Sequence, residues 1–322
     1  MIKIGILGYG NLGRGVEKAI AKADDMELFG IFSRREISAD DNDGKFYPAS
    51  EIGKYKDDID VVIMCGSSDK DIMVQGPEIV KNFNVVDSFD THANIPEYFA
   101  NMDKIGKESQ KLSVISTGWD PGLFSIMRTY ADAILVEGNT YTLWGKGLSQ
   151  GHGAAVRSVE GVKDAVQYTI PKEDFMEKIK NGENPDYSPA KAHTREVFAV
   201  LEDGADPAKV EAEIKSIPLY FDEYETTVHF ISEEELKRDH SGLPHGGRVI
   251  RSGITGDDDK ATIEFKLDLQ SNPEFTASVN VAYARAIYRL AKEGKSGAMT
   301  VLDIAPKYLS PYSDEDLREH FI

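Results

Sequence analysis

At 322 residues the chain is longer than one hydrophobic core usually serves, so two domains sharing an active-site cleft are expected. Hydrophobic residues make up 41%, enough for a packed interior and outside the disordered range, while no apolar run approaches the roughly 20 residues that cross a bilayer. The formal charge of −18, from 37 Lys and Arg against 55 Asp and Glu, opposes nucleic acid and anionic membranes as partners and makes locally clustered arginines informative.

Residues 2–7 (IKIGIL) read as a short apolar strand, and Gly8-Tyr9-Gly10-Asn11-Leu12-Gly13 follows at once. The segment has no small-residue cleavage site and its alternation with glycine is that of a strand entering a turn, which predicts a cytoplasmic protein. Leu12, Val16, Ala19 and Ile20 then recur at helical spacing, and a second strand over 26–32 completes a βαβ unit. A GxGxxG alone could be an ordinary tight turn. Between strand and helix it is the dinucleotide fingerprint, with Gly8, Gly10, Asn11, Leu12 and Gly13 at the pyrophosphate and the helix N-terminus facing the phosphates. The second strand chooses the cofactor. Where an NAD enzyme carries an acid for the ribose hydroxyl, this chain has Ser33-Arg34-Arg35, with no acid until Glu36. A hydroxyl and two guanidiniums suit a 2′-phosphate, so the predicted cofactor is NADP.

The doubly wound pattern continues. A strand over 59–64 ends in Cys65-Gly66-Ser67-Ser68 and leads into a helix through Val80. Val85–Asp87 ends near Ser88-Phe89-Asp90; a polar helix covers 94–110; and a strand over 112–116 ends in Thr117-Gly118-Trp119-Asp120-Pro121. Ligands sit beyond the carboxyl ends of such strands, so these loops are expected around the nicotinamide. Cys65 is the lone cysteine. It offers no disulfide, no CxxC or HExxH spacing suggests a metal, and packing or backbone contact accounts for it better than nucleophilic chemistry.

After a helix over 122–136 the pattern changes to strands at 141–144, 165–170, 194–201, 225–231 and 261–270. The last, ATIEFKLDLQ, alternates with period two, as in an antiparallel or mixed sheet with one wet face. A helix over about 274–293 ends at Gly294, a left-handed cap. The predicted fold class is α/β: a Rossmann-type parallel sheet over 1–121, with the C-terminal helices 273–322 packing back on it, plus an α+β substrate-binding and dimerisation domain over 122–272 with a mixed open sheet. The connection at 118–122 is short, so the domains are expected to meet closely.

Several blocks are more specific than fold signals: GYGNLGRGVEK, IFSRR, STGWDPGLFSI, WGKGLSQGHG, VQYTIP, GLPHGG and NPEFTAS. Together they resemble the meso-diaminopimelate dehydrogenase family along nearly the whole chain. The resemblance implies a two-domain homodimer in lysine biosynthesis. It would convert meso-2,6-diaminopimelate, water and NADP to L-2-amino-6-oxopimelate, ammonia and NADPH, acting at the D-centre. It assigns Asp90 and Asp120 to the reacting amine and as the catalytic carboxylates. Gln150 and Gly151 would hold the reacting carboxylate, and Trp144 would wall the methylene chain. Thr169, Arg195 and His245 would bind the distant carboxylate, with Asn272 near the distant amine.

Each residue has a plainer reading. Asp120 before Pro121 suits a helix N-cap, Asp90 a turn, Trp144 core, Arg195 a solvated strand end and His245 a Gly-rich turn. Which group takes the amine proton is open between Asp90 and Asp120, with His152 weaker. Two rivals share the architecture. A reductase of the dihydrodipicolinate type or a sugar dehydrogenase would be another oxidoreductase, but sugar dehydrogenases show Lys-Pro where this chain has Asp120-Pro121. The other is a non-enzymatic NADP-sensing regulator, whose DNA surface the acidity discourages.

Overall fold

The computed structural model describes residues 1–35 and 45–322. The chain forms two compact units, Met1–Ile126 with Pro273–Ile322, and Met127–Asn272. Glu36 lies outside the described residues.

The first unit carries β1 (Ile2–Leu7), β2 (Met26–Ser33), β3 (Phe46–Pro48), β4 (Val61–Met64), β5 (Asn84–Asp87), β6 (Leu112–Val114) and a C-terminal strand, Gly297–Met299. All pair in parallel, in the order C-terminal strand, β6, β5, β4, β1, β2, β3. The chain direction of winding reverses at β1, which lies between β2 and β4, and that is the switch point where such sheets bind nucleotides. Successive strand residues face opposite ways. Val61 and Ile63 therefore join Val16, Ile20, Ala277, Val281 and Ile287 on one side of the sheet. Val62 and Met64 join Phe83, Tyr98 and Met102 on the other. The helix Asn272–Lys292 ends as its sequence predicts: Gly294 adopts φ +81° and the Lys295 N–H reaches back to the Leu290 carbonyl at 3.1 Å.

The second unit holds β7 (Glu137–Trp144), β8 (Gly147–Leu148), β9 (Val162–Pro171), β10 (His193–Leu201), β11 (Glu225–Phe230), β12 (His245–Thr255) and β13 (Asp259–Leu269). The expected mixed sheet has the order β11-β10-β9-β8, with only β10 and β11 parallel. A separate antiparallel sheet runs β13-β12-β7. Ala165, Val197 and Ala199 of the first pack with Val210, Ile214 and Phe221; Leu143 and Ile250 of the second pack with Phe175 and Ile179. In β13 the apolar residues Ala261, Ile263, Phe265 and Leu267 alternate with exposed polar ones, but are only partly buried in this chain. Among the described residues no helix is long and apolar enough to cross a membrane.

Candidate active site

The glycine-rich turn is specified residue by residue. Gly8 takes φ +98°, a conformation that favours glycine. A Cβ on Gly13 would lie 2.3 Å from the Gly8 carbonyl oxygen, so this glycine lets the helix Asn11–Ile20 close on the turn. A Cβ on Gly10 would meet nothing within 4 Å. Gly10 is also the helix N-cap and brings no side-chain cap, so it leaves the first-turn N–H groups, those of Asn11, Leu12 and Gly13, without a side-chain oxygen. Open space above uncapped N–H groups fits a pyrophosphate.

The cleft beside this turn is lined by Gly8, Gly10, Ser33, Arg34, Arg35, Cys65, Gly66, Ser67 and Asp71 among others. Ser33 Oγ accepts the Arg35 N–H at 3.1 Å. Arg34 reaches Asp71 at 2.6 Å, and Asp71 also accepts the Ser67 N–H at 2.9 Å and the Ser67 hydroxyl at 3.1 Å. Burial alone would raise the Asp71 pKa; the Ser67 donors and Arg34 outweigh it and hold the carboxyl below its ordinary value. Gly66 must be small because a Cβ would fall 2.5 Å from the Asp71 Cβ. A hydroxyl and two arginines at the end of β2, facing a carboxylate already occupied, fit a ribose bearing a phosphate. Cys65 is buried and its thiol pKa is driven up by desolvation, so it remains an inert thiol contributing backbone and packing.

The other strand ends are bound together by one buried carboxylate. Asp87, last residue of β5, is fully buried. It accepts the Phe89 N–H at 3.0 Å, the Ser116 N–H at 3.1 Å and the Tyr98 hydroxyl at 2.7 Å. Its carbonyl accepts the Thr117 N–H at 2.9 Å and the Thr117 hydroxyl at 2.8 Å. Burial lifts the Asp87 pKa to about 6 against the pull of these donors. Asn280 hydrogen-bonds Ser88 and Thr117, and Ser68 Oγ accepts the Asp90 N–H at 3.1 Å. The loops carrying Ser68, Ser88, Phe89, Asp90 and Thr117 are thus joined at the carboxyl edge of the sheet. Asp90 is exposed there, and Phe89 is buried against Tyr98.

Gly118 (φ +151°) and Trp119 carry the β6 loop onward, with Trp119 edge-on to Phe124. Asp120 and Pro121 form a turn, and the helix starts only at Leu123. Asp120 is therefore not the helix N-cap its Asp-Pro sequence suggests, because Gly122 stands between the pair and the first turn.

In the second unit Thr169 and Arg195 are paired across β9 and β10. Arg195 is 7% exposed, donates to the Thr169 hydroxyl, leaves its Nε without a partner and has no carboxylate at ion-pair distance among the described residues. This is no solvated strand end. Desolvation lowers its pKa. Thr169 also faces Gly147 of β8, and a Cβ on Gly147 would collide with the His245 ring at 2.5 Å. His245 is the first residue of β12 rather than part of a loop. Its Nδ1 lies 2.8 Å from the Gly246 N–H and 3.2 Å from the Gly246 carbonyl, so the ring is held against the backbone of the residue that follows it. Trp144, at the end of β7, donates its backbone N–H to His193 Nε2 at 2.9 Å, and its indole stacks on that ring. Gly151 lies in the first turn of the helix Gln150–Arg157, which Ser149 caps, and a Cβ there would meet nothing within 4 Å. The Gln150 side chain lies outside the described residues. Asn272 closes the unit, its N–H bonded to the Leu243 carbonyl at 3.0 Å. Burial, aided by Arg195, depresses the His152 pKa to about 4, which makes its imidazole a poor proton holder.

Asp71, Asp87, Asn280 and His193 hold these residues in place and had no sequence signal, since their partners are set by packing rather than by motif.

The family model for the diaminopimelic acid dehydrogenase C-terminal domain matches residues 118–271. A meso-diaminopimelate D-dehydrogenase of Ureibacillus thermosphaericus is 56% identical over 323 residues, covering 100% of this chain and 99% of its own. The structure of a six-substitution mutant of meso-dapdh with DAP, from Clostridium tetani E88, is similar at TM-score 0.93 and 52% identity over 100% of both chains. That of an engineered D-amino acid dehydrogenase bound to NADP+ gives TM-score 0.84 and 43% identity, over 100% of this chain and 99% of that one. With more than half its residues shared along its full length, the chain belongs to the meso-diaminopimelate D-dehydrogenase family.

Proposed function

We propose that this chain is an NADP-dependent amino-acid dehydrogenase that oxidatively deaminates the D-centre of meso-2,6-diaminopimelate. The products are L-2-amino-6-oxopimelate, ammonia and NADPH, and the reaction is reversible. Family membership supports this reading, and the structural observation that carries it is Arg195: a buried guanidinium with an unpartnered Nε and no carboxylate partner among the described residues of a chain with charge −18. An unpaired buried charge is expensive. A substrate carboxylate would relieve it.

The glycine-rich turn with Ser33, Arg34 and Arg35 would hold NADP, which would supply the acceptor for the hydride of the D-carbon. The chain's own residues bind, orient and move protons. Arg195, Thr169 and His245 take the distant carboxylate; Trp144 flanks the methylenes; Asn272 receives the distant ammonium. Gln150 and Gly151 receive the reacting carboxylate at a helix N-terminus. Asp90 and Asp120 hold the reacting ammonium, and one of them takes its proton so that an imine can form and be hydrolysed by water. The first unit is the NADP-binding domain and the second the substrate-binding and dimerisation domain. The half-buried apolar face of β13 supports a homodimer. The protein acts in the cytoplasm.

The test is NADPH formation at alkaline pH across a panel of meso-diaminopimelate, short D-amino acids and polyols, for wild type and Arg195→Met. The reading requires diaminopimelate to be strongly preferred. It also requires Arg195→Met to depress that substrate while narrowing the gap to D-alanine. Equal loss on both substrates would remove Arg195 from the substrate site.

A further inference from the structure

We infer that Tyr224 is a positioning residue of the carboxylate site, its ring face holding the Arg195 guanidinium while leaving that cation's charge and edges for the substrate. This rests on the reading of Arg195 as the ligand of the distant carboxylate.

The guanidinium carbon of Arg195 lies 4.0 Å from the centroid of the Tyr224 ring. In the parallel register of β10 and β11, Arg195 pairs with Thr226, and Tyr224 stands in the bend just before β11, two residues ahead of Thr226. The tyrosine backbone is fixed on both sides. Its N–H donates to the Phe221 carbonyl at 2.9 Å, and its carbonyl accepts the Thr226 hydroxyl at 3.2 Å. Phe221 is itself fully buried in the core of this unit.

A buried cation can be stabilised in two ways. A carboxylate partner would neutralise it and then repel the carboxylate of a substrate. An aromatic face attracts the cation through its quadrupole and adds no charge. The two contacts also use different parts of the group: the guanidinium carbon sits over the ring face, whereas a carboxylate binds through the N–H edges. Nε, which has no partner, is on such an edge. Tyr224 therefore keeps Arg195 ordered and charged before substrate arrives, and arginine is the cation suited to being held this way.

The experiment compares KM and kcat of the full-length enzyme for diaminopimelate, NADP and D-alanine in Tyr224→Leu, Tyr224→Phe and Arg195→Met. Tyr224→Leu removes the ring face and should raise KM for diaminopimelate about tenfold. KM for NADP and efficiency on D-alanine, which lacks the distant carboxylate, should not move. Tyr224→Phe keeps the face and should stay within about threefold of wild type. Tyr224→Met removes the same face if the leucine variant does not fold. A merely structural tyrosine would lower all substrates together and show no rescue by phenylalanine. If Arg195→Met acts selectively on diaminopimelate and Tyr224→Leu does not, this inference is overturned while the substrate pose stands. If Arg195→Met is itself unselective, the pose fails and the role of Tyr224 fails with it.

Discussion

Replacing Gly10 and Gly13 by alanine, one at a time, separates the two things a glycine-rich turn does. Gly10 has φ −92° and ψ −155°, which alanine adopts readily, and its new methyl would meet nothing within 4 Å. Folding stability should be unchanged or rise by about 0.4–1 kcal/mol through the stiffer unfolded chain. The methyl would stand where a pyrophosphate must approach the helix N-terminus. Losing one charge-assisted hydrogen bond there, at about 1.5–3 kcal/mol, weakens NADPH binding roughly 10–150-fold. In Gly13→Ala the methyl would lie 2.3 Å from a backbone oxygen, an overpacking of about 1–3 kcal/mol. That lowers Tm by roughly 2–12 °C for a unit of this size. Calorimetric NADPH titration and thermal melts on both variants read the two effects separately. A Gly10→Ala enzyme that binds NADPH like wild type would falsify this account of the turn.

Arg34→Ala and Arg35→Ala should each raise KM for NADP roughly tenfold or more, the loss of a charge-assisted phosphate contact, while KM for NAD changes little; parallel changes for both cofactors refute the assignment. Asp120→Asn should melt near wild type, since Asp120 caps no helix, yet lose roughly a hundredfold or more in turnover; normal turnover relegates Asp120 to the turn. Asp87 has a folded pKa raised from 3.8 to about 6, chiefly by burial. Its contribution to stability is therefore full below the ordinary value and lost as pH rises through about 6. Asp87→Asn carries no such dependence, so relative Tm should shift in the variant's favour between about pH 4 and about pH 7. A pH-independent difference contradicts the burial argument.

The sequence carried the parallel sheet because its signals are local: a strand, a turn of glycines and a helix in one βαβ unit. β13 was legible from its period of two. β12, between β13 and β7, was not, because HGGRVIRSGIT opens on glycines and its residues 246–252, apart from Arg248, are buried on both faces. Such a strand shows no alternation. β7 begins at Glu137, before the predicted residue 141, because its first residues are polar and exposed; β9 begins at Val162, before the predicted 165, because the polar pair Lys163-Asp164 separates the buried Val162 from the apolar run. Ser33, Arg34 and Arg35 stand out in the sequence by chemistry and position, and they line the cleft beside the glycine-rich turn. Asp87 does not stand out, since its value lies in Tyr98 and Ser116, and Asn280 meets Ser88 across 192 residues of sequence. The plainer reading of Asp-Pro at 120–121 as a cap does not hold, because the capping rule describes a pair adjoining its helix and here Gly122 intervenes.

The nucleotide-type unit is made of two stretches of chain with the whole second unit between them, and this sets an order of events during synthesis. The first 126 residues leave the ribosome with β6 lacking its outer neighbour, Gly297–Met299, and the core lacking Ala277, Val281, Ala284 and Ile287. Ser88 and Thr117 likewise wait for Asn280. At about 5–20 residues per second, the intervening segment occupies the ribosome for roughly 7–30 seconds. The later-made, contiguous unit can therefore finish folding before the earlier-made one closes. For that interval the nascent parallel sheet exposes an open edge and an apolar face, so the first-translated part of this protein is the part most in need of a chaperone.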